Sequence, residues 1–389
     1  MLVLAGGTVV DGDGERTADV VVEDDTITAV GFDHGAGDVA TIDAEGLFVA
    51  PGLVDAHVHL ALDGRADTTS LTAEAETMLA YRAADHLRGA VRAGVTTVRD
   101  LGGPPTLAVD ARDAVAEGVL LGPRVVPAGA NITMTGGHGH HIGGCEVDGT
   151  AEARKAARRQ LKHGAEALKC MATGGVLTEG AQTGASELTE SEMRAVVEVG
   201  EAANVPVAAH AHGREGIENA VRAGVDSVEH GTFMDRGTAE LMADRGVFWV
   251  PTTKALVGIN EGGVEGGIPD WAVAKSRDAT DDHRESFDIA LDEDVPIAMG
   301  TDAGTPFNYH ADAAEELELM VERGLSPERA LEAATADAAD LLGLDDVGLV
   351  FENYRADLVV LPENPLEDAT AWQRPQAVVA GGEVVRDET

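Results

Sequence analysis

His57-x-His59, Lys169, His210-x-His212, His230 and Asp302 are the residues of this chain whose types and spacing could do chemistry. Side chains two apart on a strand share a face, so each His-x-His pair can present two imidazoles to one point. One such pair is weak evidence, because satisfied polar residues are common near strand ends. Imidazole, carboxylate and amine groups converging from five separate segments are stronger evidence, since burying them together is costly unless a cation is present. The expected chemistry is therefore that of a metal centre. Lys169 adds a question of its own. It lies in "ALKCMATGG" (167–175), an apolar approach to a glycine turn, where an unpaired buried ammonium is strongly disfavoured. Either a carboxylate pairs with it or its chemistry is altered.

These residues need a frame that brings distant segments together. Eight short apolar runs, at 52–59, 95–100, 124–129, 167–172, 205–212, 227–231, 247–253 and 296–302, alternate with helical stretches. That alternation predicts an α/β fold, a (β/α)8 TIM barrel, with the candidate residues at the C-terminal ends of its strands. Thr189 and Glu192 have capping-box spacing at the start of one helix. Ser326 as cap, Pro327 in the first turn and Gly343 as stop predict another over 326–343. Long glycine-rich segments at 130–144, 173–186 and 254–271 are expected as loops on the chemical face. Both ends of the chain instead carry short β-rich runs. They are expected to meet in a small discontinuous β-sandwich domain, residues 1–51 and 346–389, around a barrel of 52–345.

The net charge of −41 excludes binding of DNA or RNA by phosphate neutralisation and attraction to anionic membranes. Acid is spread along the whole chain, and five lysines stand against 23 arginines. That pattern suggests adaptation to high salt, where self-repulsion is screened. The two cysteines, Cys145 and Cys170, form neither a disulfide framework nor a thiolate metal cluster and are expected to be inert. No membrane span or secretory signal is apparent, so a cytoplasmic location is expected.

Taken in order, "PGLVDAHVHL", the lysine in "ALKCMATGG", "AAHAHG", "VEHG" and "GTDAG" resemble the amidohydrolase superfamily. Within it, the resemblance is to the branch of imidazolonepropionase-like proteins and metal-dependent Xaa-Pro or Xaa-Arg/Lys dipeptidases, and it covers nearly the whole chain. It implies two divalent metal ions, usually zinc, with His57, His59 and Asp302 on the more buried ion and His210 and His230 on the more exposed one. Lys169, carboxylated by carbon dioxide, would bridge them as a carbamate. A metal-bridging hydroxide would attack a polarised carbonyl, with Asp302 as general base and then acid. For substrate contacts the candidates are His138, His140 and His141, to meet an oxyanion or carboxylate, and Arg99, which could equally form a structural ion pair. His212 stands where some dipeptidase relatives carry a tyrosine for the substrate carboxylate, which puts dipeptide specificity in doubt. The leading expectation is hydrolysis of a dipeptide or N-acyl amino acid by a homo-oligomeric enzyme acting on small molecules. Cyclic-amide hydrolysis, lactone or ester cleavage, and a non-catalytic scaffold on the same fold are the alternatives.

Overall fold

The computed structural model describes residues 1–12, 14–31, 39–70 and 74–389. Both ends of the chain join one connected eight-stranded sheet. Its first strand, Leu2–Asp11, pairs antiparallel with Gly14–Glu23, and parallel with Ala40–Asp43 and Phe48–Pro51 along its two halves. Phe48–Pro51 then accepts Leu358–Leu361 from the far end of the chain. The pairing shifts between Leu4 and Gly7, which lets the sheet fold over its own core of Leu4, Val20, Ile27, Leu358 and Val379. This is the expected sandwich.

The remainder is a TIM barrel. Its first three strands are Leu53–Val58, Val95–Asp100 and Arg124–Pro127, and the next four are Leu168–Met171, Val207–Ala211, Ser227–His230 and Phe248–Val250, all in parallel pairing. Pro127 closes the third onto the fourth by accepting the backbone N–H of Glu166 at 2.8 Å. The eighth wall, expected as a strand over 296–302, is an extended segment with single bridges Trp249↔Ile297 and Val58↔Ala303. Close approach explains its irregularity. A Cβ at Gly300 would stand 2.5 Å from Val250 Cγ1 and 2.8 Å from His57 Cβ, so only glycine fits there. Asp55 ties this segment to the first strand, accepting Thr301 N at 3.0 Å and Thr301 Oγ1 at 2.7 Å.

Inside the barrel, Val54, Val126, Ala167, Ala208, Val250 and Ala298 form an apolar floor, closed below by Ala338, Ala339 and Leu341 of the helix Ala336–Leu341. Small residues fill this narrow end, and the polar groups lie above. Two expectations need correction. The 254–271 stretch is not a loop: it holds the helix Thr253–Gly262 and the start of Asp270–Asp292. Glu316 accepts the first free N–H groups of that helix, from Thr253 at 2.8 Å and Lys254 at 2.7 Å, while Leu256 and Ile259 bury one face. The helix expected over 326–343 is divided into Pro327–Ala333 and Ala336–Leu341, because Thr335 leaves helical geometry at φ −135°. The 130–144 segment also carries a short strand, Ile132–Met134, which pairs with the fourth barrel strand. No helix among the described residues is long and apolar enough to cross a membrane.

Candidate metal centre and active site

At the C-terminal mouth of the barrel lies a partly open cavity. Its polar half carries His57, His59, Lys169, His210, His230 and Asp302, and its other half is apolar, with Leu62, Ile142, Val176, Leu177, Leu256 and Ile259. Two groups of donors lie close enough to hold ions. His57, His230 and Asp302 form one and His210, His212 and His230 the other, with the ligand atoms of each within 4.8 Å of one another.

Backbone geometry aims them. Val54 and Ala56 face the floor while His57 and His59 face the cavity, a break in alternation at the pairing irregularity between Asp55 and Val58. His230 and Asp302 each end their segments in left-handed conformation, φ 70° and 59°. That conformation is uncommon for residues with a Cβ and turns these side chains toward the mouth.

The proton positions follow from the partners. His57 Nδ1 donates to Glu229 Oε2 at 2.8 Å, and His59 Nδ1 donates to the Gly102 carbonyl at 2.8 Å. The Thr252 hydroxyl donates to the Pro251 carbonyl, so its oxygen accepts from His230 Nδ1 at 2.7 Å. Each imidazole therefore turns an Nε2 lone pair into the site. The Nε2 atoms of His57 and His59 face Asp302 Oδ1 at 3.4 and 3.2 Å. Lone pairs meet a carboxylate oxygen in this way only around a proton or a cation. His210 Nε2 is buried with no hydrogen-bond partner, and Lys169, 1% exposed, makes no ion pair or hydrogen bond among the described residues. The donor set thus fits divalent cations.

Burial holds His57 down to about 4 and pushes Lys169 down to about 8, so the imidazole is neutral at neutral pH and the amine loses its proton easily. Burial alone would raise Asp302, but positive charge at His57, hydrogen-bond donation and charge from His59, and the Lys169 ammonium, each in its protonated form, outweigh it and keep its carboxyl below the ordinary range. Glu229 is likewise opposed by burial, yet Arg99 and the His57 hydrogen bond bring it down to about 2.

The remaining expected residues divide. His138 and His141 line the cavity, and His138 Nδ1 is hydrogen-bonded to Thr178 Oγ1 at 2.7 Å. His140 does not line it: it is exposed and donates from Nδ1 to the Gly137 carbonyl. Arg99 does not reach the cavity either. Fully buried below it, Arg99 donates to the Ala56 carbonyl at 2.7 Å, Ser227 Oγ at 3.1 Å and Glu229 Oε1 at 3.3 Å. Its substrate role is corrected to the structural ion pair. His212 is brought among the possible metal donors, 4.7 Å from His210 and 4.9 Å from His230 between ring centroids. Burial raises both thiols, Cys170 to about 12, in keeping with inert cysteines. Glu229, Thr252 and Thr178, which orient the imidazoles, went unnoticed in the sequence. Glu229 adjoins His230, and strict alternation would have put the two on opposite faces.

The Amidohydrolase family matches residues 48–385. The chain belongs to the amidohydrolase family. Among its relatives, ochratoxinase of Aspergillus niger is 32% identical over 414 residues, covering 97% of this chain and 84% of that protein. A crystal structure of that ochratoxinase superposes with a TM-score of 0.87 at 29% identity, over 99% of this chain and 96% of that one. A Xaa-Pro dipeptidase with methionine bound in its active site gives a TM-score of 0.91 at 32% identity, over 98% and 99% of the two chains. A prolidase complexed with N-methylphosphonate-L-proline gives 0.93 at 32% identity, over 99% of each. This amidohydrolase is therefore similar to hydrolases of amide bonds along almost its full length.

Proposed function

We propose that the protein is a metal-dependent hydrolase that cleaves the amide bond of a dipeptide or N-acyl amino acid. The observation that carries this reading is the meeting of the His57, His59 and His230 Nε2 atoms, the Asp302 carboxylate and a buried Lys169 that makes no ion pair among the described residues, all lining one cavity of an amidohydrolase barrel. In this reading His57, His59 and Asp302 would hold one divalent cation, zinc by preference, and His210 and His230 a second, with His212 among the possible donors. Lys169, its amine neutral once deprotonated, would add carbon dioxide to give a carbamate anion and a proton, and that anion would supply oxygen donors to the ions. When bound, such ions ionise water near neutral pH and polarise a carbonyl. Asp302 takes the proton of the attacking water on a carboxylate oxygen and delivers it to the leaving nitrogen. With Thr178 donating to its Nδ1, His138 offers Nε2–H to the developing oxyanion or to the substrate carboxylate.

No arginine lines the cavity and Lys169 is its only lysine among the described residues, so recognition of an anionic substrate falls to histidines. That favours, as a second reading, a neutral cyclic amide or lactone. A screen of dipeptides, N-acyl amino acids, cyclic amides and lactones in molar salt with added zinc, with Lys169→Ala as control, separates the readings. Amide turnover that is lost in the variant supports the first. Turnover of neutral ring substrates alone supports the second, and no turnover by a metal-free chain leaves a non-catalytic scaffold.

A further inference from the structure

Lys275 is part-buried and tied to backbone carbonyls, with no acid paired to it among the described residues. Lys275, on the helix Asp270–Asp292, donates from Nζ to three backbone carbonyls of one segment: Ala181 at 2.5 Å, Thr178 at 2.8 Å and Gly175 at 3.4 Å. It makes no ion pair among the described residues, and the ammonium also stands 5.2 Å from the centre of the Trp271 ring. An ammonium has three donors around a point charge, which suits three converging carbonyl oxygens, whereas a planar guanidinium does not.

The segment it grips matters to the site. Residues 174–184 include four glycines and form no regular helix or strand. Val176 and Leu177 of this segment belong to the apolar half of the cavity, and Thr178 holds His138. At Gly175 a Cβ would stand 2.4 Å from the His138 ring, so backbone and ring are in direct contact. Such a glycine-rich stretch has no intrinsic preference for this path.

We propose that Lys275 is a positioning residue that clamps the 175–181 segment over the cavity, and so sets how an apolar part of the substrate is accepted and where His138 points. The substrate half rests on the amide-hydrolase reading; the clamp itself does not. The test uses the full-length zinc-loaded protein and compares wild type with Lys275→Met. Hydrogen exchange of residues 174–187 is expected to speed up about 10-fold, with exchange of the neighbouring helix Glu190–Ala203 and the metal content unchanged. For whichever amide substrate carries an apolar side chain in the screen, KM is expected to rise about 10-fold, and kcat to fall with it as His138 loses its aim. If Lys275→Met does not fold, Lys275→Gln, which is neutral but keeps two donors, gives the same readings at smaller amplitude. Unchanged exchange in 174–187 overturns the clamp whether or not the protein hydrolyses amides. Faster exchange with an unmoved KM retains the clamp and overturns its part in substrate acceptance.

Discussion

His230 and Asp302 hold left-handed backbone conformations that cost about 1–3 kcal/mol each for residues with a Cβ. The surroundings fix them, because each side chain is tied to its neighbours and the rest of the barrel supplies the stability. Thr252, also left-handed at φ 53°, sets the tautomer of His230 through one hydrogen bond. Thr252→Val keeps the branched shape and removes the acceptor. It is expected to weaken metal affinity by about 10- to 100-fold in a competitive chelator titration while leaving the circular dichroism spectrum unchanged. Glu229→Gln is expected to be harsher. It weakens the hold on His57 and leaves Arg99 buried without its counter-charge, a loss of about 3–5 kcal/mol in urea unfolding. At this scale the sequence shows the donors but not their holders. His57, His59, Lys169 and Asp302 stand out as chemically unusual residues at strand ends, whereas a threonine that accepts one imidazole N–H looks like any other threonine. Arg99 and Glu229 are also hidden, since each could as well have faced a substrate or solvent.

The strands and most helices of the barrel are legible because their apolar runs and caps are local. The Thr189 side chain and Glu192 form the expected capping box, and Ser326 caps the helix that Pro327 opens. The misreadings come from tertiary override. Glycines between 254 and 271 suggest a loop, yet a buried carboxylate from a distant helix, Glu316, caps a helix there. The eighth wall looks like a strand, but close packing at Gly300 leaves it irregular, joined to its neighbours by single bridges, by backbone hydrogen bonds such as Ala56 N to the Met299 carbonyl and Ala298 N to the Trp249 carbonyl, and by the Asp55–Thr301 pair. That pair adds a side-chain tie to the backbone closure of the barrel. Thr301→Val removes one hydrogen bond to a buried carboxylate and is expected to lower stability by about 1–3 kcal/mol in chemical denaturation. An unaltered midpoint would show that the barrel closes without it.

Across the whole molecule, charge and buried histidine set the response to solvent. A net charge of −41 opposes compaction at low salt. Screening shortens from about 10 Å at 0.1 M to about 3 Å at 1 M salt, so the melting temperature is expected to rise over that range, and a flat or falling profile would remove the case for salt adaptation. Acid acts through groups held neutral by burial. His283, 2% exposed, is held down to about 4, and burial also lowers His86 and His310. The unfolded chain binds protons at these residues below about pH 6.5 and the folded chain does not, so their contribution to stability is full above that pH and falls as pH drops toward 4, while buried Asp55, Asp100 and Glu316, pushed up to about 7, 6 and 7, contribute in the opposite direction. For His283 the contribution is on the order of 3 kcal/mol, and His283→Gln, which keeps a donor for the Pro251 carbonyl, is expected to flatten the acid limb of the unfolding curve.

The central claim, that this barrel gathers its donors around a pair of divalent cations joined through Lys169, is tested most directly by metal content. Elemental analysis of the zinc-loaded, dialysed protein is expected to give two ions per chain in the wild type and one or none in Lys169→Ala. A wild-type chain that retains less than one ion under the same conditions, or a Lys169→Ala variant that retains both, contradicts it.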